Sequence, residues 1–208
     1  MQAEGLPVGG LVPLTTVDFP GHVAAVVFCQ GCPWRCPYCH NPELQSFQTK
    51  ARAALCSWAK VADFLEERSG FLEGVVFSGG EPTIHPGLPA AMERVREMGY
   101  LVGLHSAGMM PERLARVLPL THWLGLDIKA PLDARYDRIS GQSHSAARVI
   151  RSLEMAMASG VDLQLRTTVD PALLSPADLA DLHTDLQHRG APPPVIQPAR
   201  PVESISAE

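Results

Sequence analysis

His22-Val23-Ala24-Ala25-Val26-Val27-Phe28-Cys29 is a short, almost continuously apolar and partly β-branched run. That is the pattern of a strand buried on both faces, as in a parallel sheet. It feeds through Gln30 and Gly31 into Cys32-Pro33-Trp34-Arg35-Cys36-Pro37-Tyr38-Cys39-His40-Asn41-Pro42, a loop holding three prolines and three cysteines at C-x3-C-x2-C spacing. A buried strand that ends on a polar loop is a unit, and the chain repeats it. Gly74 to Phe77 closes on Ser78-Gly79-Gly80-Glu81-Pro82, and Tyr100 to Leu104 delivers His105-Ser106-Ala107-Gly108. Trp123 to Leu126 delivers Asp127-Ile128-Lys129-Ala130-Pro131, Val161 to Leu165 leads to Arg166-Thr167-Thr168, and Val195 to Gln197 is a last short strand.

Helical patterns separate these runs. Val61 to Arg68 is ended by Gly70, and Leu88 to Met98 carries Leu88, Met92 and Val95 at helical spacing before Gly99. Pro111 to Leu118 starts with proline at the first helical position. Ala146 to Ser159 sets Val149, Ile150, Leu153 and Met157 on one face, and Ser175 caps a last helix that opens with Pro176 and ends near Gly190. Strand–helix alternation at about 30 residues per unit calls for parallel strands joined by right-handed crossovers. The six strands fall short of the eight of a closed barrel, which typically takes about 250 residues. The expected fold is α/β, a partial (β/α)6 TIM-like barrel with parallel strands and outer helices; an open doubly wound sheet is the competitor. Residues 1–208 read as a single domain with its core at about 16–200, after an irregular Gly- and Pro-rich lead-in and before a polar tail. Five polar motifs fall just past the C-terminal ends of strands, the rim on which parallel α/β folds build their sites.

The bulk composition narrows the function classes. With 208 residues, 46% of them hydrophobic and 19% charged, the chain resembles soluble globular domains and can bury one core. A net charge of −5, with 17 Lys and Arg scattered through the chain, gives a nucleic-acid partner no electrostatic support. No apolar stretch approaches the ~18–20 residues that cross a membrane. The opening Met1-Gln2-Ala3-Glu4-Gly5 lacks the pattern of a signal peptide. Five cysteines, an odd number, then argue for a reducing cytoplasm rather than a disulfide framework.

Thiolates are soft ligands suited to zinc, copper(I) and iron–sulfur clusters. Three are one fewer than a closed zinc site or an all-cysteine cluster requires. Either a fourth ligand comes from elsewhere or one metal corner is left open. A zinc with His40 as fourth ligand is one reading, although His40 directly follows Cys39, tighter than ordinary zinc-ligand spacing. Cys29 reads as a small buried strand residue, and Cys56 stands alone.

The spacing at Cys32, Cys36 and Cys39, the aromatic Tyr38 before the last cysteine, and Gly79-Gly80-Glu81-Pro82 after the next strand resemble the radical S-adenosylmethionine (radical SAM) superfamily. The resemblance implies that the three thiolates hold a [4Fe-4S] cluster whose fourth iron is chelated by SAM. It implies that one electron then cleaves SAM and releases a 5′-deoxyadenosyl radical. Within the superfamily, Phe19-Pro20-Gly21, Phe28-Cys29-Gln30-Gly31-Cys32 and Cys39-His40-Asn41-Pro42 look like the opening signature of the activating enzymes of glycyl-radical proteins. Among these the similarity points to activators of anaerobic ribonucleotide reductase, and Asp127 to Pro131 and Arg166-Thr167-Thr168-Val169 look like later blocks. By that resemblance Gly79, Gly80 and Glu81 meet the SAM amino group, Tyr38 packs near the adenine, and Ser106 helps hold SAM. Asp127, Lys129 and Arg166 are then contacts to its carboxylate or ribose. His105 stands where related activases carry an acid, and Ala107 replaces a frequent Asn, so this strand end departs from the pattern. A glycyl-radical enzyme, with anaerobic ribonucleotide reductase first, and an electron donor such as flavodoxin or ferredoxin are the implied partners. The rival readings are a radical SAM enzyme acting on a small molecule, like the deazaguanine synthases, and a zinc-holding structural module.

Overall fold

The computed structural model describes residues 3–47 and 56–199. Seven strands form one sheet in strictly sequential order: β1 (Val8–Thr15), β2 (Ala24–Cys29), β3 (Gly74–Gly79), β4 (Leu101–Ser106), β5 (Trp123–Asp127), β6 (Asp162–Val169) and β7 (Val195–Pro198). From β2 onward every neighbouring pair is parallel. A doubly wound sheet reverses its strand order at a switch point. No reversal occurs here, and among the described residues β1 and β7 are the two edges of the sheet. The architecture is therefore a barrel wound in one direction and left open.

Six helices fill the crossovers: α1 (Trp58–Glu67), α2 (Leu88–Glu97), α3 (Pro111–Val117), α4 (Arg135–Ser140), α5 (Ser145–Ser159) and α6 (Pro176–His188). The last begins as its sequence predicts. Ser175 accepts from the Asp178 N–H while Asp178 reaches back to the Ser175 backbone, a reciprocal capping box.

The lead-in departs from expectation, because residues 8–15 form an antiparallel strand on β2. Gly9, Gly10 and Pro13 mask its strand character in the sequence. At a sheet edge an outward-facing proline loses no ladder bond, so pairing to β2 overrides the weak local signal. Helix α4 was also not anticipated.

Alternation along the strands separates two apolar layers. Ala25, Val27, Val75, Phe77, Val102, Leu104, Leu124 and Leu126 face outward onto the helices. Ala24, Val26, Val76 and Trp123 face inward onto Phe19, whose ring stacks on Trp123 at a centroid distance of 5.9 Å. The Phe19-Pro20-Gly21 block thus plugs the N-terminal end of the barrel. Above the plug the lumen turns polar, and all the expected rim motifs lie at the strands' C-terminal ends.

Candidate active site

The cysteine loop leaves β2 and is pinned on two sides. Gln30 donates from Nε2 to the Glu43 and Ser46 carbonyls at 3.0 and 2.7 Å, and the Gly31 N–H donates to Leu44 at 2.7 Å. On the other side Trp34, only 1% exposed, packs edge-on against Tyr136 of α4, and the Arg35 N–H donates to the Ser140 carbonyl at 2.9 Å. Cys32, Cys36 and Cys39 are free thiols, each half-buried. Burial pushes the Cys32 thiol up to about 12, with the negative charge of Glu81 adding to it. Cys36 is raised by burial as well, against the pull of Lys129. Cys29 lies in the apolar core, fully buried, apart from this trio.

The Gly-Gly-Glu-Pro turn folds back onto that loop. A Cβ at Gly80 would lie 2.2 Å from the Gly31 carbonyl oxygen, and one at Gly79 would lie 2.5 Å from the Cys29 backbone. Glycine is required here so that the two backbones can touch. Glu81 is completely buried. Its Oε1 accepts from the Thr83 N–H and hydroxyl (3.0 and 2.6 Å) and from Ser106 Oγ (2.9 Å), while Oε2 accepts from the Ala107 N–H at 2.8 Å. Burial pushes its carboxyl up, and those four donors pull it back. Expected as a partner for an ammonium group, the Glu81 side chain instead ties the end of β3 to the end of β4. Ser106 is likewise committed, donating to Glu81 and accepting from the Gly108 N–H at 3.0 Å. What this corner presents outward is the half-buried backbone of Gly79 and Gly80.

Asp127, Lys129 and Arg166 are brought together, as the sequence implies. Asp127 Oδ1 accepts from Arg166 Nε and Nη2 at 3.2 and 3.1 Å, and Oδ2 accepts from Lys129 Nζ at 3.3 Å. Burial alone would push the Asp127 carboxyl up, but Lys129 and Arg166 outweigh it and hold it at about 2. Two cations on one carboxylate leave a net positive charge, and Lys129 Nζ also lies 5.9 Å from the centre of the Tyr38 ring. Tyr38 is 5% exposed and its buried hydroxyl has no partner among the described residues. Sequence reading missed Tyr136, whose hydroxyl accepts from the Lys129 N–H (3.0 Å) and donates to the Asp127 carbonyl (3.3 Å). No periodicity or motif singles out this one tyrosine on a short helix.

The site therefore collects three thiols, a net cation, an accessible glycine backbone and an orphaned phenol at one strand-end rim. Among the described residues no three His, Cys, Asp or Glu side chains converge to grip a single metal ion. A multi-iron cluster distributes its thiolates over separate irons, and the donor chemistry fits such a group together with a zwitterionic ligand bearing a carboxylate.

Comparison with known proteins gives the same direction. The model of the Radical SAM superfamily matches residues 26–175. A provisionally named glycyl-radical enzyme activating enzyme of Methanocaldococcus jannaschii is 26% identical over 181 residues, covering 84% of this chain and 73% of its own length. The pyruvate formate-lyase-activating enzyme of Clostridium pasteurianum is 33% identical over 131 residues, 61% of this chain and 53% of that protein. The 7-carboxy-7-deazaguanine synthase of Thermococcus kodakarensis is 28% identical over 141 residues, 67% of this chain and 53% of that protein. The chain thus spans about half the length of the last two. Among solved structures, Streptococcus suis SuiB bound to S-adenosylmethionine superposes on 84% of this chain and 40% of its own, with a TM-score of 0.67 at 11% identity, a likeness of fold alone.

Proposed function

Because the chain belongs to the radical SAM superfamily, we propose that it is an activating enzyme that installs a glycyl radical on a partner protein, with anaerobic ribonucleotide reductase as that partner. The family implies a [4Fe-4S] cluster and SAM, which when bound supply one-electron cleavage of the SAM sulfonium. The observation that carries the reading is the convergence of the cysteine loop with Gly79, Gly80, Asp127 and Lys129 at one rim, in a chain whose relative covering 84% of it is named as an activase. Cys32, Cys36 and Cys39, as thiolates, would hold the cluster. The backbone of Gly79 and Gly80 would receive the SAM ammonium, Lys129 would attract its carboxylate, and Tyr38 would cover the adenine. Asp127, kept ionised, would accept from the ribose hydroxyls. The unclosed side between β1 and β7 admits the partner's glycine-bearing loop. A flavodoxin or ferredoxin delivers the electron. The setting is the cytoplasm, consistent with five free cysteines and with the absence, among the described residues, of any helix long and apolar enough to cross a membrane.

The test is anaerobic reconstitution followed by reduction with SAM and anaerobic ribonucleotide reductase. A glycine-centred doublet in electron paramagnetic resonance, in step with SAM consumption, is expected. SAM cleavage without that doublet on any glycyl-radical protein offered would move the assignment to the small-molecule reading, which the deazaguanine synthase relative favours. Failure to bind iron and sulfide would remove both.

A further inference from the structure

The sequence departs from the activase pattern at His105, and the structure gives that residue a definite setting inside the lumen. His105 is 9% exposed, and its ring packs edge-on against Trp123 at 5.3 Å. Nε2 lies 3.0 Å from the Asp18 carbonyl oxygen, which only accepts, so Nε2 carries the proton. Nδ1 is then the acceptor, 3.2 Å from the Ser78 hydroxyl. The third nitrogen of Arg166, Nη1, rests against this ring, 3.5 Å from Nδ1 and 3.2 Å from Nε2. Its other two nitrogens are both spent on Asp127 Oδ1. A Cβ at Gly125 would stand 3.1 Å from His105 Cδ2 and 3.2 Å from Arg166 Cζ, so the glycine on β5 makes the space in which the two groups meet. The loop supplying the carbonyl is itself fixed, since Thr15 Oγ1 donates to Asp18 Oδ2 at 2.6 Å.

We propose that His105, as the neutral Nε2–H tautomer, is a positioning residue that sets the Arg166 guanidinium against Asp127, so that the carboxylate is shared between two cations and Lys129 keeps charge to spare for the anionic end of SAM. This rests on the radical SAM reading of the rim. The groups facing the ring are Asp18 and Ser78 on one side, Arg166 and Asp127 on the other. A neutral imidazole tolerates the guanidinium, whereas a protonated one would repel it. Burial, with Arg166 as the second cause, holds the imidazole at about 4, consistent with that state. Without the ring, Nη1 loses its seat, the guanidinium is free to rotate, and Asp127 is left to Lys129 alone, which strengthens the 3.3 Å pair that competes with the ligand.

Two measurements test this. On the full chain, nitrogen-15 NMR of the histidine rings should show His105 neutral with the proton on Nε2 at pH 5.5; a protonated ring at pH 6 overturns the proposal. On the reconstituted protein, His105→Ala should raise the Kd and KM for SAM by about tenfold with kcat little changed, the loss expected for one hydrogen-bonding arrangement around a charge. His105→Gln retains a donor for the Asp18 carbonyl and an acceptor for Arg166, and should recover most of the affinity. Equal SAM affinity in wild type and His105→Ala overturns the positioning role while leaving the functional reading intact. Wild-type protein that binds no SAM at all removes the functional reading, and the proposed ligand with it.

Discussion

Lys129 is the residue on which the charge of the rim turns. Burial would lower its pKa, but Asp127 holds it well above the ordinary lysine value, so it stays charged throughout the useful pH range. Lys129→Ala should therefore weaken SAM binding by about 10- to 100-fold, while Lys129→Arg should retain more of it, a comparison equilibrium dialysis resolves. His105 and Asp127 also make stability depend on pH. The folded pKa of His105 is depressed from 6.5 to about 4, so the unfolded chain takes up a proton first as the solution is acidified. Its contribution is complete above pH 6.5 and is lost as pH falls toward 4, by roughly 3 kcal/mol for a shift of that size. Asp127, held down at about 2, loses its contribution at lower pH, between its unfolded value and about 2. Urea unfolding at several pH values should show the first loss in wild type, and His105→Gln should flatten the profile between pH 6.5 and 4. An unchanged slope in that variant would mean that the ring is not buried neutral.

Helix α4 does the work of joining the cysteine loop to the end of β5. Its Tyr136 is wholly buried and bridges the Lys129 N–H and the Asp127 carbonyl, while its face receives Trp34. Tyr136→Phe strands the Lys129 N–H in the interior and should cost about 1–3 kcal/mol, seen as a lower Tm and as weaker SAM binding. Cys36→Ala acts differently. The loop is anchored by Trp34, Arg35 and Gln30 rather than by that half-buried thiol, so the variant should keep its Tm within about 2 °C. It should nevertheless lose iron content and SAM cleavage; a collapse of folding would show the thiol to be structural. At the turn after β3, Gly80→Ala should be strongly destabilising, because its Cβ would meet backbone that has no room to yield. The sequence announced this turn through its composition. It concealed that the glycines are needed for the neighbouring backbone, and that Glu81 serves as an internal strut.

Among the described residues the sheet is a barrel left open between β1 and β7. If a partner loop enters there, a peptide of about eight residues carrying the partner's glycine should serve as a slow substitute. Deuterium placed on its glycine Cα should then be found in the 5′-deoxyadenosine produced, by mass spectrometry; deuterium-free product would argue against entry from that side. By itself the sequence determined the six parallel strands, the helices between them other than α4, and the delivery of the cysteines, glycines, Asp127, Lys129 and Arg166 to one rim. Those features are written in neighbouring residues, as runs of apolar side chains, proline and glycine stops, and motif spacing. Only the tertiary structure decided that residues 8–15 pair as an edge strand, that Glu81 and Ser106 are spent inside, and that His105 meets Arg166 across 61 positions of chain. These depend on strand register and on which groups the folded interior leaves unsatisfied. Such quantities arise between segments, and no local pattern records them.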